Sequence, residues 1–250
     1  EREGLEWTEV TKEQQEQFAS ESVDESIVDY SNTVIYSSAR NAYIVPRMKR
    51  MMNRTVWAMT KQLRKGSFKP EGYEVSFGNG KIDRIDTCET EDQVYVKILD
   101  YKTGAKSFDM AAFYHGLQMQ LVVYMEEAVR LEERKHPGKK IVPAGIFYYR
   151  MKDPIVGKEL DEEKLEEAIL KELRLDGIIR QEDTVIQRLD ADFSGNSLVI
   201  PAGKTKSGYS KASKMLLPEE FDAVLTYAQK RRTDLQGAMY RGKAEALPYE

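Results

Sequence analysis

Three residues, Asp83, Asp100 and Lys102, have the types and spacing for phosphoryl chemistry. Two carboxylates on neighbouring strands offer hard oxygen ligands to Mg²⁺ or Mn²⁺, ions that keep several waters and bind substrate phosphate as well. An ion held there polarises a phosphoryl oxygen and makes a nucleophile of its bound water. A lysine two residues beyond one ligand orients that water or offsets the charge growing on pentavalent phosphorus. Taken alone, Asp-Tyr-Lys also reads as a surface salt bridge at the end of a strand, so the surrounding elements decide.

Residues 94–102 alternate β-branched and aromatic side chains as a half-buried strand does, which places Asp100 and Lys102 on one face and Tyr101 on the other. Lys81 to Thr87 reads as a second strand, joined to the first through Cys88 to Gln93, a polar loop of hairpin-like length. Asp83 and Asp86 are three apart and face opposite sides of a regular strand, so one of them joins Asp100; Asp83 is the choice. Phe108 to Glu133 reads as one long helix whose apolar positions pack on the sheet, stopped by Pro137-Gly138. Ile141 to Met151 reads as a buried strand, and Asp161 to Leu173 as a charge-rich amphipathic helix with a solvated face. Gly203 to Lys214 holds four lysines with Gly and Ser and is expected to be a mobile loop able to brush DNA. Its Gly-Lys-Thr is no phosphate-binding P-loop, because the required first glycine falls at Leu198. Pro218 opens a last helix.

In order along the chain stand Gly-Lys-Ile-Asp (80–83), Asp-Tyr-Lys-Thr-Gly (100–104) and a helical Gly-Leu-Gln-Met-Gln-Leu-Val-Val-Tyr (116–124). This order resembles the RecB-type branch of the PD-(D/E)xK nucleases. The resemblance implies an α/β fold, a restriction-endonuclease-like core with a central mixed β-sheet flanked by helices, and Mg²⁺-dependent (or Mn²⁺-dependent) hydrolysis of DNA. Carried over by residue, it implies Asp83, Asp100, Lys102, Gln118 and Tyr124 as the catalytic set, and Asp83, Asp100, Tyr101 and Glu74 as the metal set. Gln120 rivals Gln118, because Gln120 and Tyr124 are four apart and share a helix face.

Three further stretches, at 143–155, 175–186 and 241–249, resemble the C-terminal nuclease domain of the AddB group of helicase-nuclease proteins. The domains expected are an acidic linker or extension over 1–29 and the nuclease domain over 30–250. That likeness implies an AddA-like helicase subunit as partner, a single DNA strand from unwound duplex as substrate, strand degradation in double-strand break repair, and a bacterial cytoplasm. Members of the group carry four cysteines for an iron–sulfur cluster. This chain has one, Cys88, so the four-ligand cluster cannot form from it alone. The expectation is a piece of a longer subunit, or else a homologue without the cluster. The alternatives in function are a stand-alone RecB-like or Cas4-like exonuclease and a non-catalytic DNA-binding scaffold. An intact Asp/Asp/Lys set speaks against the scaffold.

Composition fits a globular domain: 250 residues, 41% of them hydrophobic, suffice for a sizeable core, and one cysteine excludes an internal disulfide. No apolar run approaches the about 20 residues that span a bilayer. A net charge of −4 means that DNA must be met by a local patch. From Tyr30 to Pro70 there is no acid, while Arg40, Arg47, Lys49, Arg50, Arg54, Lys61, Arg64, Lys65 and Lys69 fall inside. A helix from Pro46 to before Gly66 gathers Arg47, Arg50, Arg54, Lys61 and Lys65 into a sector of about 60°. Met48, Met52, Met59 and Leu63 lie opposite, so one face packs and the other meets phosphate in a sequence-independent, salt-sensitive way. The first 29 residues are the reverse, ten acids against Arg2 and Lys12. His115, His136 and Cys88 read as structural, and Trp57, Tyr148 and Tyr149 as packed.

Overall fold

A computed structural model of the chain describes residues 5–29, 38, 43–78, 80–157, 161–191 and 193–243. Arg40 and the closing Ala-Leu-Pro-Tyr stretch lie outside the described residues. Helices α1 (Lys12–Asp29) and α2 (Ile44–Leu63) precede a meander of β1 (Lys69–Phe77), β2 (Gly80–Glu89) and β3 (Gln93–Lys102). Then come α3 (Met110–Tyr114), α4 (Gln120–Lys135), β4 (Lys140–Arg150), α5 (Glu162–Glu172), β5 (Asp176–Arg180) and α6 (Asp183–Leu189). A small hairpin of β6 (Lys204–Thr205) and β7 (Gly208–Tyr209), the strand β8 (Met215–Leu216) and helix α7 (Pro218–Tyr240) follow.

Six strands form one mixed sheet in the order β1-β2-β3-β4-β5-β8. The β1–β2, β2–β3 and β4–β5 pairs are antiparallel, and β3–β4 and β5–β8 are parallel. A parallel pair needs a long crossover, and α3 with α4 supplies it. On one face α4 buries Leu121, Val122, Met125 and Ala128 against Ile82, Val94, Val96, Ile98 and Ile146, with Phe221 and Ala228 of α7 completing the layer. Each large aliphatic side chain sealed there contributes about 1.5–3 kcal/mol. On the other face Met59 of α2 packs with Tyr95, Leu99, Phe147, Tyr149 and the apolar residues of α6 and 193–202. Gly177 permits the close β4–β5 approach, since a Cβ there would lie 1.9 Å from the Ile146 carbonyl oxygen.

Four expectations are corrected. The single helix over Phe108–Glu133 is two helices, because Gly116 takes φ +84° and its N–H closes on the Phe113 carbonyl at 2.8 Å. Asp109 caps the first of them, accepting from the Ala111 and Ala112 N–H groups. Cys88 lies buried in β2, not in a loop, because the ladder runs on to Glu89 and the turn is only Thr90 to Asp92. Gly203 to Lys214 holds the β6–β7 hairpin. Helix α2 starts two residues before Pro46, which stays in its first turn.

Composition marks residues 1–29 as a linker or extension; over their described part they lie against α2 and β1. Ala19, Val23 and Ile27 recur every fourth residue of α1 and are buried, and Val23 and Ile27 pack on Val45, Met48 and Met52. Trp7 Nε1 donates to the Tyr73 hydroxyl at 2.6 Å, Lys49 pairs with Asp24 at 2.6 Å, and Arg64 donates to the Thr8 and Val10 carbonyls.

Candidate active site

The end of β3 carries Asp100 and Lys102 on one face, as alternation requires, with the Lys102 ammonium in contact with Asp100 Oδ2. Asp100 is 1% exposed. Asp83 stands one residue beyond the Arg84–Leu99 pair that ends the β2–β3 ladder, close enough to Asp100 for their charges to interact. Its Oδ2 accepts the Tyr101 backbone N–H at 2.8 Å. Burial, then the charges of Asp100 and Glu74, raise the Asp83 carboxyl above its ordinary value of 3.8, against the Tyr101 N–H and Lys102. A carboxyl so placed favours a cation beside it. Two hard oxygen donors with solvent at the half-buried Asp83 suit Mg²⁺ or Mn²⁺, which retain waters.

From Lys102 a hydrogen-bonded line runs into α4. Lys102 Nζ donates to Gln120 Oε1 at 3.4 Å, and Gln120 Nε2 donates to the Tyr124 hydroxyl at 2.9 Å. Gln118 stands elsewhere: it accepts from the Asp109 N–H at 3.1 Å and donates to the Ser107 carbonyl at 3.2 Å, tying the turn ahead of α3. The break at Gly116 places Gln118 before α4 begins and Gln120 in its first turn. Asp86 belongs to the opposite face, where Arg84 donates to it at 2.5 and 2.8 Å and Lys97 approaches to 3.3 Å. Burial would raise the Asp86 carboxyl, but Arg84 and Lys97 hold it below its ordinary value. The Tyr101 ring also lies there, its hydroxyl on Arg84 at 3.3 Å, so only the Tyr101 backbone adjoins Asp83. Glu74 is exposed at φ +49°, 3.5 Å from Lys81, and reaches Asp83 only through its charge.

The same row continues where sequence reasoning saw only packing. Tyr148 of β4 pairs with Asp100 on one side and with Asp176 of β5 on the other, so Asp100, Tyr148 and Asp176 share one face across three strands, with Asp83 near the Asp100 end. Asp176 receives Lys214 at 2.5 Å and Arg150 at 3.3 Å. Burial raises the Asp176 carboxyl, but Lys214, Ser107 and Arg150 bring it below its ordinary value. Burial, followed by the charges of Asp100 and Asp176, pushes the Tyr148 hydroxyl up to about 12. No local signal marks Tyr148, because its place in the row follows from the register of three strands.

The basic stripe on α2 divides. Arg47 and Lys65 are exposed, while Arg50 and Arg54 lie 3.6 and 3.9 Å from Asp153 and Lys61 lies 3.1 Å from Glu166 of α5. Trp57 sits between Arg54 and Lys61, each cation within 6 Å of its ring.

Among the described residues one trio of candidate metal-binding side chains draws together, Glu71, Glu132 and His136, with ligand atoms within 4.8 Å of one another. It lies beside Glu89, about 20 Å along β2 from Asp83 at the usual strand rise. There Lys135 pairs with both Glu71 and Glu132, and Lys139 with Glu89, so cations of the chain itself already lie against these carboxylates. No described helix is long and apolar enough to cross a membrane.

Comparison with known proteins gives the family. The chain matches the PD-(D/E)XK nuclease superfamily over residues 3–249. It is 33% identical over 271 residues to an ATP-dependent helicase/deoxyribonuclease subunit of Alkaliphilus metalliredigens, covering 99% of this chain and 24% of that protein. The protein of the same name from Caldanaerobacter subterraneus is 34% identical over 274 residues, 100% of this chain and 23% of the relative. That of Clostridium acetobutylicum is 34% identical over 249 residues, 91% and 22%. The chain thus spans about a quarter of the length of the curated relatives it matches. A mixed sheet that brings Asp83, Asp100 and Lys102 to one end of a β2–β3 ladder, and a match over nearly the whole chain, lead to one conclusion: the chain belongs to the PD-(D/E)XK nuclease superfamily.

Proposed function

We propose that this chain is the nuclease module of an AddAB-type helicase-nuclease, hydrolysing phosphodiester bonds of a DNA strand with Mg²⁺ or Mn²⁺ as cofactor. The observation that carries the reading is the line from Asp83 and Asp100 through Lys102 to Gln120 and Tyr124. Asp83 and Asp100 would hold the ion, which when bound activates water and polarises the phosphoryl oxygen. Lys102, beside Asp100, donates to the attacking water and offsets the charge that builds on the phosphate oxygens. Gln120 fixes the direction of Lys102, and Tyr124 fixes Gln120. Water oxygen bonds to phosphorus as the bond to the leaving sugar oxygen breaks; the water's proton passes to solvent and the leaving oxygen takes one up. Arg47 and Lys65, with Arg50, Arg54 and Lys61 where they can leave Asp153 and Glu166, would draw the strand along α2.

The relatives' name, a helicase/deoxyribonuclease subunit of bacteria, supports DNA as substrate and a helicase as partner; an AddA-like identity for that helicase, a role in double-strand break repair and a cytoplasmic setting belong to the same proposal. Incubation with end-labelled single-stranded DNA and Mg²⁺ or Mn²⁺ tests the reading, with EDTA and Lys102→Ala as controls. Cutting that needs metal and falls about 100- to 1,000-fold in Lys102→Ala is expected. Salt-sensitive binding with no cutting, in this chain and in a longer subunit joined to its helicase, would leave a non-catalytic DNA-binding module.

A further inference from the structure

Tyr148 has no task in the hydrolysis described above, yet it stands in the row that performs it. The residue has no exposed surface, and its hydroxyl finds no hydrogen-bond partner. Leaving a buried polar group unpaired costs about 1–3 kcal/mol. The next residue, Tyr149, is equally buried and unpaired, but it points to the opposite face, where its ring meets that of Tyr101 at 6.0 Å. Tyr148 is covered instead by two ammonium groups, Lys102 Nζ at 5.6 Å and Lys106 Nζ at 5.2 Å from its ring centroid. Lys106 is exposed and lies in the irregular segment between β3 and α3, and its carbonyl accepts from Arg150 Nε at 3.2 Å. Arg150 and Lys214 share the single carboxylate of Asp176, which leaves the β4–β5 side of the row positive.

A hydroxyl donor without an acceptor, with the exposed Lys106 ammonium over its ring and Lys102 beside it, is arranged for an anion. We propose that the Tyr148 hydroxyl and the Lys106 ammonium form a phosphate subsite, which grips the DNA strand by the phosphate next to the one that is cut, on the β4 side of Lys102. The approaching phosphate draws the Lys106 head group off the ring and accepts a hydrogen bond from the hydroxyl, with no covalent change, while Lys102 keeps its place on Asp100 and Gln120. The position beside the scissile bond rests on the nuclease reading; the anion binding does not.

The test is fluorescence anisotropy of fluorescein-labelled oligothymidylate in EDTA, where metal-dependent cutting is silent. Tyr148→Phe is expected to weaken binding about tenfold, the value of one hydrogen bond to a charged acceptor. Its melting temperature should be unchanged or higher, since the hydroxyl it loses is unpaired in the free protein. Lys106→Met should weaken binding and reduce the slope of log K against log salt by about 0.7. Tyr149→Phe should bind as the parent does. With Mg²⁺, Tyr148→Phe should raise KM and leave kcat within about twofold. Parent-like binding by Tyr148→Phe, or equal losses in Tyr148→Phe and Tyr149→Phe, overturns the subsite. A parent chain that binds but never cuts defeats the hydrolytic reading while the anisotropy comparison still decides the subsite.

Discussion

Replacing Gln120 by alanine, and separately Gln118, probes the link between geometry and rate most directly. Gln120 is the residue that joins Lys102 to α4, through a 3.4 Å contact to the ammonium and a 2.9 Å bond to Tyr124. A hydrogen bond to a charged group is worth about 1.5–3 kcal/mol. The separation is near the outer limit and the Lys102 side chain is 24% exposed, so about 1 kcal/mol is the appropriate share. Lys102 keeps its contact with Asp100 in Gln120→Ala, so what is lost is aim. The expected fall is about five- to tenfold in kcat, with KM little changed. Gln118→Ala instead removes the 3.1 and 3.2 Å bonds of a partly exposed turn, which lowers the melting temperature by about 2–4 °C and leaves kcat within about twofold. Initial rates on labelled single-stranded DNA at saturating substrate, with thermal melts of the same preparations, measure both. A larger drop in kcat for Gln118→Ala than for Gln120→Ala, with both proteins folded, would falsify the positioning role.

Three further outcomes are expected. The folded-state pKa of Asp83 is raised, so its protonated form favours the fold and stability falls as pH rises through that value; Asp83→Asn should melt higher at neutral pH while losing metal-dependent cutting. Asp86 is the opposite case, a depressed carboxyl whose stabilisation is present above its ordinary pKa and lost as pH falls through the folded value. Asp86→Ala, which strands the buried Arg84 and Lys97, should lose about 3–5 kcal/mol in urea unfolding. Arg47→Ala and Lys65→Ala should each reduce the salt slope of single-strand binding by about 0.7, and Lys61→Ala by less, because Glu166 already holds that ammonium.

Local pattern fixes what local geometry controls. Alternation along β3 put Asp100 and Lys102 on one face, parity along β2 separated Asp83 from Asp86, and four-residue spacing joined Gln120 to Tyr124, all readable before any fold was known. The apolar side of α2 and the helix stop at Pro137 were legible for the same reason. Only the tertiary structure sets Gln120, and not Gln118, against Lys102. The choice turns on a left-handed Gly116 that ends α3, and helical periodicity carries across such a break without showing it. It alone set Tyr148 and Asp176 in line with Asp100, since the register of β4 and β5 against β3 comes from packing two faces of a sheet, not from any spacing along the chain. It also drew three of the five stripe cations onto Asp153 and Glu166, as charge alone could not foretell. The proposed chemistry is thus written in short motifs, because Asp100 and Lys102 share one strand and Gln120 and Tyr124 one helix. The company those residues keep depended on long-range pairing, where every contact joins segments that the sequence holds far apart.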